Sequence, residues 1–136
     1  MSKGYVGATE VYEDAVTLTA LSALAVGDTV VDRDDVVVNI IGKVTTVLNP
    51  VDVITITLSN ADTIQAHPDQ YIMTYQGAQI KARDMKVLTY LTATIYVDSV
   101  DVTPAASETF INLVTDAGSA IKMKNAISTP PVSETA

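Results

Sequence analysis

Thr63-Ile64-Gln65-Ala66-His67-Pro68-Asp69-Gln70-Tyr71-Ile72-Met73-Thr74, then Gly77, then Ile80-Lys81-Ala82-Arg83-Asp84-Met85-Lys86-Val87, is the stretch on which the reading turns. Thr63 to Ala66 alternates polar and apolar residues, the period of a half-buried strand. His67-Pro68-Asp69-Gln70 interrupts it, because proline fixes its own φ and aspartate bonds back to nearby backbone. Tyr71 to Thr74 predicts a strand, Gln76-Gly77 a turn, and Ala78 to Ala82 a further strand ended by Asp84.

The same alternation continues outward. Ser59-Asn60-Ala61-Asp62 predicts a hairpin turn after Val51 to Leu58, whose switch of apolar face near Val53-Ile54 suggests a bulge. Val36 to Ile41 and Lys43 to Leu48 predict two strands separated by Gly42, where a bend or bulge is permitted. Val16 to Thr19 predicts a strand and Leu21 to Leu24 one helical turn. Gly27-Asp28 predicts a turn before a strand at Val30-Val31. Val87 to Val97 is a long β-favouring run, Thr109 to Thr115 a strand, and Ala120 to Ile127 the last strand. The expected architecture is all-β: about ten short strands with extended arms, divided as an arm over 1–14, a domain over 15–127 and a tail over 128–136.

Composition supports sheet. Hydrophobic residues make up 48% of 136, yet aromatics only 5%, so the core must be aliphatic and β-branched. With no cysteine, disulfides, thiolate zinc sites and thiol nucleophiles are excluded. A formal charge of −8 repels phosphate, which argues against nucleic acid and anionic membrane as partners. No apolar run approaches the ~20 residues of a membrane span. The opening Met1-Ser2-Lys3-Gly4-Tyr5 lacks the apolar run of a secretory signal.

Three segments, in order, resemble the blocks of Hint (hedgehog/intein) domains. Leu21 to Leu24 followed by Ala25-Val26-Gly27-Asp28-Thr29-Val30 is similar to the family's "x-V-G-D-x-V". The stretch from Thr63 to Val87 is similar to "I-x-A-T-P-D-H-x-F-L-T" followed by "A-x-D-L-K-V-G-D". Thr109 to Asp116 with Ile121 to Ile127 is similar to the closing blocks. The resemblance implies a Hint-like β-fold across residues ~16 to 129, boundaries read from sequence being loose by a few residues.

It also implies a chemistry whose residues are missing. Self-splicing needs a thiol or hydroxyl at the start of the domain, and the alignment puts that place near Glu10 to Tyr12, with Ser2 and Thr9 the nearest hydroxyls. The family's block-two histidine, which protonates the leaving amide, is Gln70 here, and glutamine cannot titrate. His67 stands in the adjacent threonine position and reads as a loop or surface residue. The terminal His-Asn pair is replaced by Ser128-Thr129; Asn125 aligns with a structural Asn-Gly whose glycine is Ala126. No catalytic residue is therefore assigned.

No cofactor is expected either. Asp32, Asp34 and Asp35 cluster as a calcium loop would, but without its spacing, so a solvated turn is the expectation and no metal ligand is assigned. Tyr71 and Tyr75, on one strand face, are expected to cap the core. The functional expectation is a non-enzymatic structural or assembly protein of a phage virion, a capsid decoration, cement or tail part. It would contact other protein subunits, as a homo-oligomer, through apolar residues of its arms: Tyr5, Val6, Val11 and Val132. The alternatives are a residual autoprocessing enzyme and a cellular, cytoplasmic peptide- or sugar-binding module.

Overall fold

The structure, a computed structural model, describes residues 4–130. Thirteen strands and three short 3-10 turns account for its regular structure, so the all-β expectation holds. Seven strands form one antiparallel sheet in the order β10-β6-β7-β1-β11-β5-β4. These are Val97–Ala105 (β10), Val51–Leu58 (β6), Thr63–Ala66 (β7), Tyr5–Val6 (β1), Glu108–Thr115 (β11), Val37–Leu48 (β5) and Thr29–Val31 (β4). Three two-stranded pieces complete the body: Glu10–Tyr12 (β2) with Leu18–Ala20 (β3), Tyr71–Met73 (β8) with Gln79–Lys81 (β9), and Ile121–Lys122 (β12) with Ser128–Thr129 (β13).

Alternation puts the apolar side chains inside. In β7 Ile64 and Ala66 are buried while Thr63 and Gln65 are exposed; in β5 Val38 and Ile40 are buried between exposed Val37, Asn39 and Ile41. The core gathers Leu24, Val30, Ile40, Ile54, Ile56, Leu58, Ile72, Met123 and Ile127, each nearly inaccessible. Full burial of such a side chain stabilises by about 1.5–3 kcal/mol. Phe110, the one phenylalanine, is wholly buried.

Several local readings hold and several need correction. The Leu21 to Leu24 turn is a 3-10 turn over Leu21–Ala23, closed by the Leu24 N–H donating to the Leu21 carbonyl. Gly27 has φ +99, which the turn before β4 requires and side chains resist. The two strands expected around Gly42 are one twelve-residue strand, and the anticipated irregularity is there: Gly42 opposes Val114 but Ile40 opposes Thr115, leaving Ile41 extra. No bulge lies at Val53-Ile54, where register with β10 is unbroken; both residues are buried because β6 is covered on both faces there.

Val87 to Val97 is not a strand. Before Val97 its β-favouring residues form no ladder beyond an isolated Tyr90–Tyr96 bridge, because Leu88 at φ 70 turns the chain and donates its N–H to the Val97 carbonyl. The strand begins at Val97 instead and continues to Ala105. Pro104 is tolerated because β10 is the outer strand of the sheet, with β6 its only ladder neighbour among the described residues.

The described part of the N-terminal arm, residues 4–14, is no arm. β1 lies between β7 and β11 near the middle of the sheet, and β2 pairs with β3. Two-residue strands flanked by glycines give almost no periodic signal, so the segment reads as loose by sequence. At the other end β13 pairs with β12, which brings residues 128–129 into the body as well.

Candidate functional site

The first described residue, Gly4, meets the loop His67 to Gln70. Gly4 is held there by both its backbone groups: its N–H donates to Gln70 Oε1 at 2.8 Å, and its carbonyl accepts the His67 N–H at 3.1 Å. Gln70 is 1% exposed and has both ends of its amide used, since its Nε2 donates to the Tyr71 carbonyl at 2.7 Å. One end faces a donor and the other an acceptor, which a neutral amide satisfies and a carboxylate could not.

Tyr5 carries the network to the other end. Its hydroxyl donates to Thr129 Oγ1 at 2.8 Å and lies 3.3 Å from the Tyr71 carbonyl. Burial pushes the Tyr5 phenol well above its ordinary value, against the opposing hydrogen bonds to Thr129 and Gln70. It therefore stays a neutral phenol near pH 7 and is neither base nor nucleophile there. The void beside Tyr5, Asn112, Thr129 and Pro130 measures ≈ 10 Å³, far below the ~300 Å³ at which small-molecule sites begin.

The backbone amide that faces Gln70 is that of Gly4, whereas the Glu10 to Tyr12 segment, where the resemblance puts the nucleophile, lies elsewhere. Glu10 and Thr9 line a separate polar recess with Asp62, Lys124 and Asn125. Ser2 lies outside the described residues. Gly4 has φ +107, and a Cβ built on it would sit 2.6 Å from the Ile111 carbonyl carbon and oxygen and 2.9 Å from its nitrogen. Real contacts of that kind do not occur, so no side chain, nucleophilic or otherwise, fits at position 4 without moving the backbone of β11.

His67 is a loop residue as expected, but not a surface one. It is 9% exposed, packs edge-on against Phe110 with ring centroids 5.2 Å apart, and accepts the Asp69 N–H on Nδ1 at 3.0 Å. Asp69 pairs with Arg83 and lies 3.9 Å from Lys81.

At this geometry the comparisons decide the architecture. A bacterial intein-like domain from Clostridium thermocellum superimposes with TM-score 0.82 at 15% identity, over 96% of this chain and 99% of that one. The Msm DnaB1 intein splicing domain, solved bound with zinc, gives 0.77 at 14% over 93% and 99%. The gp41-1 intein gives 0.74 at 14% over 95% and 99%.

The chain has the Hint fold.

At these identities the likeness concerns shape alone; no family model and no curated protein matches the sequence. Within this Hint fold Gly4 meets Gln70, and Tyr5 meets Thr129.

The remaining sequence candidates are dispersed. Tyr5 and Val11, expected to bind a partner, are 2% exposed and belong to the chain's own core. Tyr5 is drawn inward by its pairing with Ala66 and Ile111, and Val11 by packing of β2 on the sheet. Val6 is half-buried in β1, and Val132 lies outside the described residues. The aspartate cluster does not converge. Asp32 Oδ1 accepts the Asp34 and Val36 N–H groups and its Oδ2 the Ser119 hydroxyl, while Asp35 pairs with Lys122. The backbone bond from Val36, above all, holds the Asp32 carboxyl below its ordinary value. Tyr71 is half-buried, but Tyr75 is 58% exposed and does not cap the core. With Ile80, Thr89 and Tyr90 it lines an open groove of ≈ 540 Å³ in which no charged side chain takes part. Sequence reasoning missed this groove, because its two halves come from separate loops and neither carries a motif.

Proposed function

We propose that this Hint-fold domain does not process its own backbone and acts by contact, as a structural subunit that associates with copies of itself. The observation that carries the reading is Gly4: at the amide facing Gln70 there is no nucleophile and no room for one. Gln70 adds that the side chain bonded to that amide is itself a neutral amide, which cannot supply a proton as histidine does. The described segments nearest the ends, Tyr5–Val6 and Ser128–Thr129, are paired inside the domain and do not supply the contact. Exposed Tyr75 and Tyr90, with the exposed neighbours Val87 and Leu88, supply a candidate surface. Two chains of charge −8 repel, and self-association is least opposed where the lining is uncharged. The setting proposed from sequence, a phage particle, remains the context in which we place such a subunit.

The test is paired. Intact mass of the purified full chain is followed over days at pH 6 to 8, and a single unchanged mass is expected; any scission product would establish the autoprocessing alternative instead. Light scattering of the concentrated chain measures size, and a monomer insensitive to Tyr75→Ser with Tyr90→Ser rejects the self-association.

A further inference from the structure

We propose that two copies of this chain meet about a two-fold axis, each placing Leu88 in the groove beside Tyr75 of the other; this rests on the self-association proposed above. The backbone is the first reason. Of the five non-glycine residues with positive φ among the described residues, Leu88 alone carries a large apolar side chain. Left-handed backbone is unfavourable for leucine, and glycine or asparagine would sit there at less cost. The turn itself needs no leucine: the Leu88 N–H donates to the Val97 carbonyl and the Val97 N–H to the Thr89 carbonyl, backbone to backbone. Packing within the chain makes little use of one, because the side chain is 68% exposed and takes no part in lining the groove of its own chain. Strained backbone that holds an apolar side chain out into water points to a contact beyond the domain.

The groove supplies the matching hollow. One wall is the turn from Thr74 to Ala78 between β8 and β9, and the other is Thr89, Tyr90 and Ala93 of the loop that Leu88 opens. The Tyr75 N–H donates to the Tyr90 carbonyl at 2.9 Å and ties the two walls together. Knob and hollow therefore lie on one surface. A two-fold axis lets each copy give one knob and receive one, which closes the contact at two chains.

The rim also fits a copy. Lys86 immediately precedes Val87 and Asp98 immediately follows Val97, and both are exposed. The bond between Leu88 and Val97 sets them at the foot of the same loop. The surface thus carries one charge of each sign beside an uncharged centre. Setting Lys86 of one copy against Asp98 of the other lets two chains of charge −8 meet with opposite charges facing. Exposed Tyr75, Tyr90, Val87 and Leu88 make a patch on the order of 300–600 Å². Two such patches bury less than ~1,200 Å², the class of weak contacts that form as concentration rises.

The experiment is sedimentation velocity of the full chain from roughly 10 μM to 1 mM, with amide NMR spectra over the same dilution. We expect a weak dimer whose formation shifts the amides of residues 74–80 and 86–93. Leu88→Asn, polar and tolerant of the same φ, should weaken dimerisation roughly tenfold or more, since the axis counts the loss twice, while its melting midpoint holds or rises. Lys86→Glu should weaken it several-fold, and adding Asp98→Lys to that variant should restore it. An unaltered chain that stays monomeric throughout rejects self-association and the Leu88 contact together. A dimer that forms as well with Leu88→Asn, or whose shifts on dilution lie elsewhere, leaves self-association standing and overturns the Leu88 contact. A doubly reversed chain no better than Lys86→Glu alone overturns the two-fold arrangement in the same way. Should Leu88→Asn fail to fold, the shifts of the unaltered chain and the charge reversals decide.

Discussion

The backbone N–H of Gly4 donates to the side-chain oxygen of Gln70 across sixty-six residues of sequence, at 2.8 Å and out of contact with water. Here the pair holds the first strand in the sheet. Gln70 serves that role better than a titrating group would, because both ends of its amide are matched and neither changes with pH.

Removing the Gln70 amide should therefore act on stability and not on chemistry. Gln70→Ala leaves the Gly4 N–H and the Tyr71 carbonyl short of a buried partner, at a cost of about 1–3 kcal/mol, measurable by denaturant unfolding. Gln70→His should leave the chain whole by mass, since no nucleophile faces it. Gly4→Ala combines overpacking against Ile111 with a disfavoured φ, and should cost about 3 kcal/mol or more. A melt unchanged by Gly4→Ala would mean that position 4 is not where it is described.

Tyr5 and Thr129 join the two ends of the domain through one hydroxyl pair, 124 residues apart in sequence. Tyr5→Phe and Thr129→Val should each cost about 1 kcal/mol, and the double substitution less than the sum, because both remove the same bond. Since burial raises the Tyr5 phenol, the folded chain resists its ionisation more than the unfolded chain does. That contribution is complete below pH ~10, the ordinary tyrosine value, and is lost as pH rises beyond it. The alkaline loss of Tm should be shallower in Tyr5→Phe.

Leu88 and Ala126 hold positive φ, 70 and 62. Such backbone costs an L-residue roughly 1–2 kcal/mol that glycine avoids, partly offset by glycine's greater freedom when unfolded. Leu88→Gly and Ala126→Gly should each raise stability by up to about 1 kcal/mol, read as a higher denaturation midpoint. Leu88 is 68% exposed, so little packing is lost with its side chain. A fall in midpoint at position 88 would show that the leucine has packing that its exposure does not reveal.

Asp32 organises its turn as an ionised acceptor of two backbone N–H groups and a serine hydroxyl. Its carboxyl is held low in the folded chain, so its stabilisation is present above the ordinary carboxylate value of about 3.9 and fades as pH falls below it. Asp32→Ala should cost about 1–3 kcal/mol near neutrality and flatten the melting curve's dependence on pH below 4. A variant as stable as the parent would remove this residue from the account of the turn.

What the sequence determined by itself was local. Alternation in Thr63 to Ala66, proline at 68, glycine at 27 and at 42, and the Ser59 to Asp62 turn each act through neighbours a few residues away, and each lies where its chemistry places it. Their order along the chain was enough to indicate the Hint architecture. The tertiary structure alone decided which residues meet. Nothing in Gly4-Tyr5-Val6 announces a central strand, because two residues carry no period and take their pairing entirely from β7 and β11. Nothing in Val87 to Val97 announces a loop, because β-favouring side chains pair only where the chain offers them a partner. Above all, the meeting of Gly4 with Gln70 and of Tyr5 with Thr129 is visible only once packing has carried these segments together, since hydrogen bonds over sixty-six and 124 residues leave no mark on the spacing of residues along the chain.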